Sequence, residues 1–161
     1  MRIWNLKTVV FLALSSIILL SSCNKMGKGR SAEILYDSIV IHKEVPLLSV
    51  NDTTLPYADV NISFTYPVRF RDAESTERLQ QIFKGTFFGN TDFDSMTPDA
   101  AVEKYLDEYT ERYQSLSNMF YEDKSRLDGK TPVWYWYYMN TVNKILFQND
   151  SLLSYAVEYS D

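Results

Sequence analysis

Four carboxylates crowd one predicted helix and are the residue types that a cell-wall hydrolase would need. They are Glu103, Asp107, Glu108 and Glu111. A pair of carboxylates can hydrolyse a glycosidic bond, one as general acid and the other as base or nucleophile. All four lie off the apolar stripe of the helix, and Glu108 stands four residues before Arg112, the spacing of a surface ion pair. A solvated helix face is the favoured interpretation, no catalytic residue is assigned, and a peptidoglycan-acting hydrolase is kept as the alternative.

The sequence has a single histidine, His42, and a single cysteine, Cys23. A metal site at His42 would need two or three further ligands from elsewhere, since no acidic cluster stands near it at ligand spacing. A histidine on the face of a strand is the simpler interpretation, and we predict no metal and no cofactor. One cysteine also excludes an internal disulfide framework and a cysteine-rich zinc site.

A run of five aromatic residues, Trp-Tyr-Trp-Tyr-Tyr, is the most prominent candidate for ligand binding. In a strand, alternation places Trp134, Trp136 and Tyr138 on one face. The intervening Tyr135 and Tyr137 lie on the other face. One aromatic face must belong to the core, and the second either packs beneath a helix or stacks on the sugar rings of a ligand. Trp134, Trp136 and Tyr138 are the candidate stacking residues, and burial of both faces in the core is the competing, favoured interpretation.

The start of the chain has the pattern of an export signal. Arg2 and Lys7 form a positive region before an apolar run of 12 residues, Val9–Leu20. This run is too short for a membrane-spanning helix, which needs about 20 residues. Small residues then lead to the lone cysteine, in the order Leu-Ser-Ser-Cys. We therefore predict that residues 1–22 are a signal peptide.

The Leu-Ser-Ser-Cys order resembles the lipobox, the cleavage motif of bacterial lipoprotein signal peptides. The resemblance implies that a diacylglyceryl group is attached to the Cys23 sulfur and that cleavage makes Cys23 the acylated N-terminus. Each buried methylene contributes about 0.8 kcal/mol, so several acyl chains would hold a domain on a lipid bilayer. The alternative is an unmodified Cys23 in a loop or in an uncleaved anchor. Residues 23–31 are predicted to be the lipidated N-terminus and a tether.

The net charge of −5 conceals an asymmetry along the chain. Residues 1–31 carry five basic residues and no acidic one, whereas residues 32–161 carry eleven basic and 21 acidic residues, a net charge of −10. Such an acidic domain repels the phosphates of nucleic acids, so we predict no nucleic acid partner. The basic tether residues either attract anionic headgroups or are simply solvated. No acidic cluster follows Cys23, and such clusters mark surface export in Bacteroidetes lipoproteins. The predicted location is therefore the cell envelope, at the outer membrane facing the periplasm.

Residues 32–161 are predicted to form a single α+β domain, since a chain of this length buries one ordinary core. The clearest strand alternates apolar and polar residues from Ala58 to Tyr66 and closes at Pro67. Thr97 and Pro98 mark the start of a helix whose apolar stripe continues to Phe120. The predicted strands cover residues 33–45, 58–66, 133–147 and 152–159, and the predicted helices cover about 73–88 and 97–120. The order ββααββ indicates an antiparallel sheet with two helices packed on one face.

Several turn and core positions over about residues 57–161 carry a family resemblance. The alternating strand ends in Tyr-Pro, the first helix closes in Phe-Phe-Gly at Gly89, and Pro-Asp-Ala-Ala-Val opens the second helix at Pro98. Trp134, the Asn-Asp-Ser-Leu-Leu-Ser turn at Asn149 and Tyr159 follow. This pattern resembles the N-terminal half of a two-part extracytoplasmic unit. Such units occur in PdaC-type peptidoglycan deacetylases, RsiV-type lysozyme-sensing anti-sigma factors and many Bacteroidetes lipoproteins of unknown function.

In that family the strand matching Leu152–Tyr159 continues into a Gly-Gly-Ala-His segment and a second half, whereas this chain stops at Asp161. We therefore expect a domain that is incomplete at its C-terminus, with Tyr155–Tyr159 as an unpaired edge. The lysozyme-binding unit includes the second half and deacetylase catalysis belongs to a separate domain, so the resemblance transfers no activity to a residue here. The favoured hypothesis is a non-catalytic envelope lipoprotein that binds a glycan such as peptidoglycan, or a lysozyme-like protein.

Overall fold

The computed structural model describes residues 33–48, 54–149 and 151–160. The predicted signal peptide, the lipidation site Cys23 and the tether lie outside these ranges. No helix within the described residues is both long and apolar enough to cross a membrane.

Four strands form one sheet, and their spatial order is the same as their order in the chain. The strands are β1 (Leu35–Pro46), β2 (Tyr57–Arg69), β3 (Tyr137–Gln148) and β4 (Leu153–Ser160). The outer pairs β1–β2 and β3–β4 are antiparallel, and the central pair β2–β3 is parallel. Both β1 and β4 are edge strands of the described sheet.

The α+β class and the order ββααββ are confirmed, but the prediction of a fully antiparallel sheet is wrong in its central pair. The connections explain this arrangement. A short link joins the strands of each outer pair, which favours antiparallel pairing, whereas the helices carry the chain from the end of β2 back to the side where β2 began. A crossover of that length is what a parallel pair requires.

The alternation of β2 separates the two faces of the sheet as predicted. Ala58, Val60, Ile62 and Phe64 are buried on the side of the helices, which we name the covered face. Their neighbours in the strand point to the opposite side, the open face, because successive side chains of a strand alternate. Antiparallel pairing extends the division to β1, where Ile39 lies beside Phe64.

Pro67 does not end β2, contrary to the prediction, because the strand continues to Arg69. A proline cannot donate a ladder hydrogen bond, so it is tolerated where no neighbour needs one. The ladder between β2 and β3 stops at Ser63, and the register between β1 and β2 shifts opposite Pro67. The carbonyl of Pro67 instead accepts a hydrogen bond from the Gln80 side chain at 2.7 Å.

The first helix, α1 (Ala73–Phe88), has the bounds that the sequence predicts. The Asp72 side chain caps its start by accepting from the Ser75 backbone N–H at 2.7 Å. Gly89 ends it in the left-handed conformation, with φ of 66°, which residues other than glycine rarely adopt. Glu74 and Arg78, four residues apart on the exposed side of the helix, form an ion pair at 2.6 Å.

The second predicted helix is bent into two parts, α2 (Pro98–Gln114) and α3 (Ser117–Arg126). Thr97 caps α2 as predicted, accepting from the Ala100 backbone N–H at 3.3 Å. At the bend, the Ser115 hydroxyl donates to the carbonyl of Arg112 at 2.7 Å. A serine hydroxyl that binds a helix carbonyl competes with the backbone ladder and often bends a helix.

The core is the aromatic layer between the helices and the covered face. Phe64 of β2 packs against Phe87 and Phe88 of α1, with ring centroids 4.6 and 5.3 Å apart. Phe83 of α1 stacks on Tyr155 of β4 at 4.4 Å. The layer therefore joins α1 to both the centre and one edge of the sheet.

Candidate functional site

A groove with a volume of about 910 Å³ lies between α2 and the end of the sheet where β3 begins and β4 ends. Most of its walls are aromatic side chains. The lining residues are Tyr105, Tyr109, Arg112, Tyr113, Leu116, Trp136, Tyr137, Tyr138, Met139, Thr141, Tyr159 and Ser160. A ligand-sized concave site with apolar walls and a few polar groups is the usual form of a small-molecule site. We name it the aromatic groove.

One face of α2 supplies the helical wall of the aromatic groove. Tyr105, Tyr109 and Tyr113 follow at intervals of four residues, which places them on one side of the helix. The rings of Tyr109 and Tyr113 are nearly parallel, with an interplanar angle of 10° and centroids 6.5 Å apart. Tyr105 contacts the core residue Phe88, with 5.2 Å between ring centroids. The wall is thus continuous with the core.

Tyr113 fixes the helical wall to the segment before β3. Its side chain is buried, and its hydroxyl donates to the backbone carbonyl of Tyr135 at 2.7 Å. Burial raises the pKa of the Tyr113 hydroxyl well above its ordinary value, because the charged form would lose its hydration. Tyr137 packs against Tyr113 with 5.4 Å between ring centroids. We name Tyr113 the floor of the groove. A buried hydrogen bond and ring packing hold this floor in place.

The aromatic run forms the opposite wall, but not as the single strand that the sequence predicts. Residues Val133–Tyr135 form a short 3-10 helix, and β3 begins only at Tyr137. The predicted alternation of Trp134, Trp136 and Tyr138 along one strand face is wrong for this reason. Trp136 and Tyr138 do line the groove, whereas Trp134 is exposed in the 3-10 helix and is not part of the lining.

Tyr135 is the buried member of the aromatic run. Its ring meets Phe120 of α3 edge to face at 5.4 Å, and its hydroxyl donates to the Asp123 carboxylate at 3.0 Å. The aromatic run therefore divides in two. Tyr135 belongs to the core, and the exposed rings of Trp136, Tyr137 and Tyr138 remain accessible in the groove.

Tyr159 of β4 joins the groove to the end of α1. Its hydroxyl lies 3.0 Å from the carbonyl of Thr86 and 2.8 Å from that of Phe87. The last carbonyls of a helix lack partners within the helix, and the single proton of this hydroxyl is shared between two of them. The position of the Tyr159 ring is therefore set by the end of α1.

Among the described residues that line the groove, Arg112 is the one that carries a charge. The predicted ion pair between Glu108 and Arg112 does not form, because Glu108 pairs with Lys104 at 3.6 Å. Within the described residues the Arg112 guanidinium has no ion-pair partner. A guanidinium binds carboxylate and phosphate groups through paired hydrogen bonds, so the groove offers a site for an anion beside aromatic walls.

The four helix carboxylates lie outside the groove. Glu103, Asp107, Glu108 and Glu111 are all exposed on α2, and none is among the lining residues in the described part of the chain. These four carboxylates therefore lie on a solvated helix face, and no two of them face each other across the groove.

His42 lies on the open face, away from the groove. Its Nδ1 atom is 2.7 Å from Oδ1 of Asn61 and 3.4 Å from Oδ1 of Asp59. The described residues contain no group of three or more His, Cys, Asp or Glu side chains arranged to hold a metal ion. The histidine occupies a strand face, as predicted.

Sequence reasoning missed the tyrosines of α2 as groove residues and assigned them to the apolar stripe alone. Tyr105 and Tyr109 are only partly buried, and they line the groove together with the buried Tyr113. The sequence did contain a signal for this site. Three tyrosines at successive turns of one helix place polar hydroxyls along an apolar stripe, which is typical of a surface that is only partly buried.

Comparison with known proteins gives one structural similarity. No protein-family model matches the chain, and no curated protein matches it. The fold is similar to the crystal structure of a member of the DUF3298 family from Bacteroides fragilis, with a TM-score of 0.72 and 26% sequence identity. The match covers 80% of this chain and 49% of that chain, so this chain spans about half the length of that protein. The chain is thus similar to a member of a family of domains of unknown function, and this coarser part of the predicted resemblance is confirmed.

Proposed function

We propose that this protein is a lipid-anchored lipoprotein of the cell envelope whose domain binds a glycan in the aromatic groove without catalysis. The observation that carries the binding proposal is the groove itself, with its exposed rings held on a fixed floor. The anchor is inferred from the sequence at Cys23 alone. The predicted location, at the outer membrane and facing the periplasm, would place the domain near peptidoglycan.

The walls of the groove suit a carbohydrate better than a purely apolar ligand. A sugar ring has apolar C–H faces and a rim of hydroxyls, and an aromatic ring with a polar tip offers the complementary surface. Trp136, Tyr137 and Tyr138 present exposed rings, and the tyrosine hydroxyls can bind the rim of a sugar. A fixed floor lowers the entropy lost on binding, because few side chains must be ordered.

Arg112 favours a glycan that carries an acidic substituent. The domain is acidic overall, so an anionic ligand would be repelled unless a local cation faced it. Arg112 supplies that cation without a competing carboxylate among the lining residues of the described chain. Peptidoglycan strands carry sugar rings and, on the attached stem peptides, carboxylates, so they match both features of the groove.

The finer family interpretation belongs to this proposal. The sequence motifs resemble the N-terminal half of the PdaC and RsiV type of unit, and the similar solved structure is about twice as long as the matched region. We infer that this domain is related to the N-terminal half of such a unit. A lysozyme-like protein is then a competing ligand, which the binding experiment must include. No observation favours the hydrolase alternative, since the helix carboxylates lie outside the groove.

The proposal is tested by binding of the full chain to purified peptidoglycan and to soluble peptidoglycan fragments. Trp136→Ala removes a ring from the groove and is expected to weaken binding about fivefold to tenfold, the loss from one ring contact of roughly 1 to 1.4 kcal/mol. Trp134→Ala is the matched control, because that ring is also exposed but lies outside the groove. Its affinity should equal that of the wild type.

Three outcomes would contradict the proposal. The wild type fails to bind any fragment, both tryptophan variants lose affinity equally, or the chain retains a lysozyme-like protein and no glycan. Titration calorimetry gives the affinities, and circular dichroism of each variant checks that the fold is kept.

A further inference from the structure

The two ends of the sheet differ in what they present. The aromatic groove occupies the end where β3 begins and β4 ends. At the other end β1 begins at Leu35, and the Tyr36 hydroxyl donates to Oε1 of Gln148, the last residue of β3, at 2.8 Å. β1 therefore begins beside the β3–β4 hairpin, at the end of the sheet away from the groove.

The tip of that hairpin is unusually apolar and exposed. Leu146, Phe147 and Leu152 are 63%, 49% and 56% exposed, and we name these three residues the hairpin tip. The pairing of β3 with β4 shifts register between Ile145 and Phe147. A bulge of this kind interrupts the strict alternation of a strand, so neither of the two consecutive apolar residues Leu146 and Phe147 is buried.

We propose that the hairpin tip inserts its apolar side chains into the bilayer surface to which Cys23 is attached. This inference rests on the lipid anchor of the proposed function. Twelve residue steps separate Cys23 from Leu35, so a fully extended tether spans at most about 40 Å. Because the described chain starts at this end of the sheet, the anchor would hold the hairpin tip nearer to the membrane than the groove.

The charged residues at the same end are compatible with a lipid surface. Arg69 ends β2 and Arg71 follows it, and neither has an ion-pair partner within the described residues. A cation near an anionic leaflet is attracted to it. The carboxylates of Asp37 and Asp72 accept backbone hydrogen bonds from Ser38 and Ser75. The exposed acidic residues Glu33, Asp37, Asp72 and Glu74 at this end offset the two arginines, so the apolar tip carries the contact.

This orientation has a consequence for the groove. β3 has 12 residues and runs from the groove to the hairpin tip. At about 3.3 Å per residue, the groove residues Thr141 to Tyr137 lie roughly 20 to 33 Å from Phe147 along the strand. The groove would then face away from the membrane, toward the peptidoglycan layer, rather than being covered by lipid.

The test measures lipid contact at the tip in the full-length anchored protein. Phe147→Cys carries an environment-sensitive dye, and the protein is placed in vesicles of phosphatidylethanolamine and phosphatidylglycerol with and without a nitroxide-labelled lipid. Val133→Cys is the matched control, because Val133 is 74% exposed and lies in the 3-10 helix at the groove end. The nitroxide lipid is expected to quench the dye at position 147 severalfold more than the dye at position 133.

Equal quenching at the two positions, with the protein still bound to vesicles, would overturn the tip contact and leave the anchor standing. Protection of position 147 from aqueous iodide without quenching by the nitroxide lipid would assign the tip to a second copy of the chain and overturn the proposal as well. Labelling with two dyes per chain would show that the Cys23 thiol is free and that the lipid anchor has not formed. Leu152→Cys provides a second tip position if Phe147→Cys disturbs the fold.

Discussion

The two faces of one sheet differ in how the same strands are used. On the covered face, Phe64 packs into an aromatic layer with α1 and has no exposed surface. On the open face, polar side chains pair across β1 and β2, such as Ser38 with Thr65 at 2.9 Å between hydroxyl oxygens. Burial of apolar area stabilises the fold, whereas exposed polar pairs contribute little. The covered face therefore determines stability, and the groove forms at its margin.

The largest expected effect is Phe64→Ala on the covered face. The substitution removes a buried ring from contact with Phe87 and Phe88 and leaves a cavity. We expect a loss of about 3 to 5 kcal/mol in the free energy of unfolding, measured by urea denaturation.

Val40→Thr is the open-face control for that measurement. Val40 is exposed on β1, and threonine keeps the branched shape that suits a strand. Its effect should stay within about 0.5 kcal/mol. If the two variants lose similar stability, the open face is buried in solution and the contrast between the faces is wrong.

Local signals predicted most of the secondary structure. The alternation of β2 follows from the period of a strand, and the end of α1 follows from Gly89. The parallel pairing of β2 with β3 was not predictable in this way, because it depends on where a long crossover returns. The buried lysine was also missed. Lys84 donates to the backbone carbonyls of Asp94 and Met96, partners that no helix pattern reveals.

The candidate site was predicted only in part for a related reason. The composition of the aromatic run pointed to stacking, and Trp136 and Tyr138 do line the groove. The assumption that the whole run is a strand failed, because a 3-10 helix removes Trp134 from the groove. Tyr135 is the ring of the run that is buried, because it packs against Phe120 of α3. Such a contact between distant segments has no signature in the spacing of the run.

An intermediate effect is expected for Tyr113→Phe, which removes the hydroxyl at the margin of the covered face. The substitution leaves the carbonyl of Tyr135 without its buried partner, which costs about 1 to 3 kcal/mol. Burial raises the pKa of Tyr113 in the folded state, so the unfolded chain loses this proton first as the pH rises. Wild-type stability should therefore fall above about pH 10.

The variant should lose less stability than the wild type over that alkaline range, because one tyrosine of raised pKa is absent. Urea denaturation at neutral pH and above pH 10 measures both effects. Tyr121→Phe, at an exposed position of α3, is the control at neutral pH and should leave the free energy of unfolding unchanged. Equal alkaline slopes for wild type and Tyr113→Phe would show that this hydroxyl is not buried in solution.

The smallest effect is expected on the open face, for His42→Thr. Threonine keeps the strand preference, and the substitution removes the hydrogen bond between His42 and Asn61 at 2.7 Å. Both side chains lie where water can replace the lost partner, so the free energy of unfolding should change by less than about 0.5 kcal/mol. A double-mutant cycle with Asn61→Thr measures the coupling directly. A coupling energy as large as the loss from Tyr113→Phe would mean that a partner buries the open face. A hydrogen bond between two side chains reaches that energy only where water is excluded.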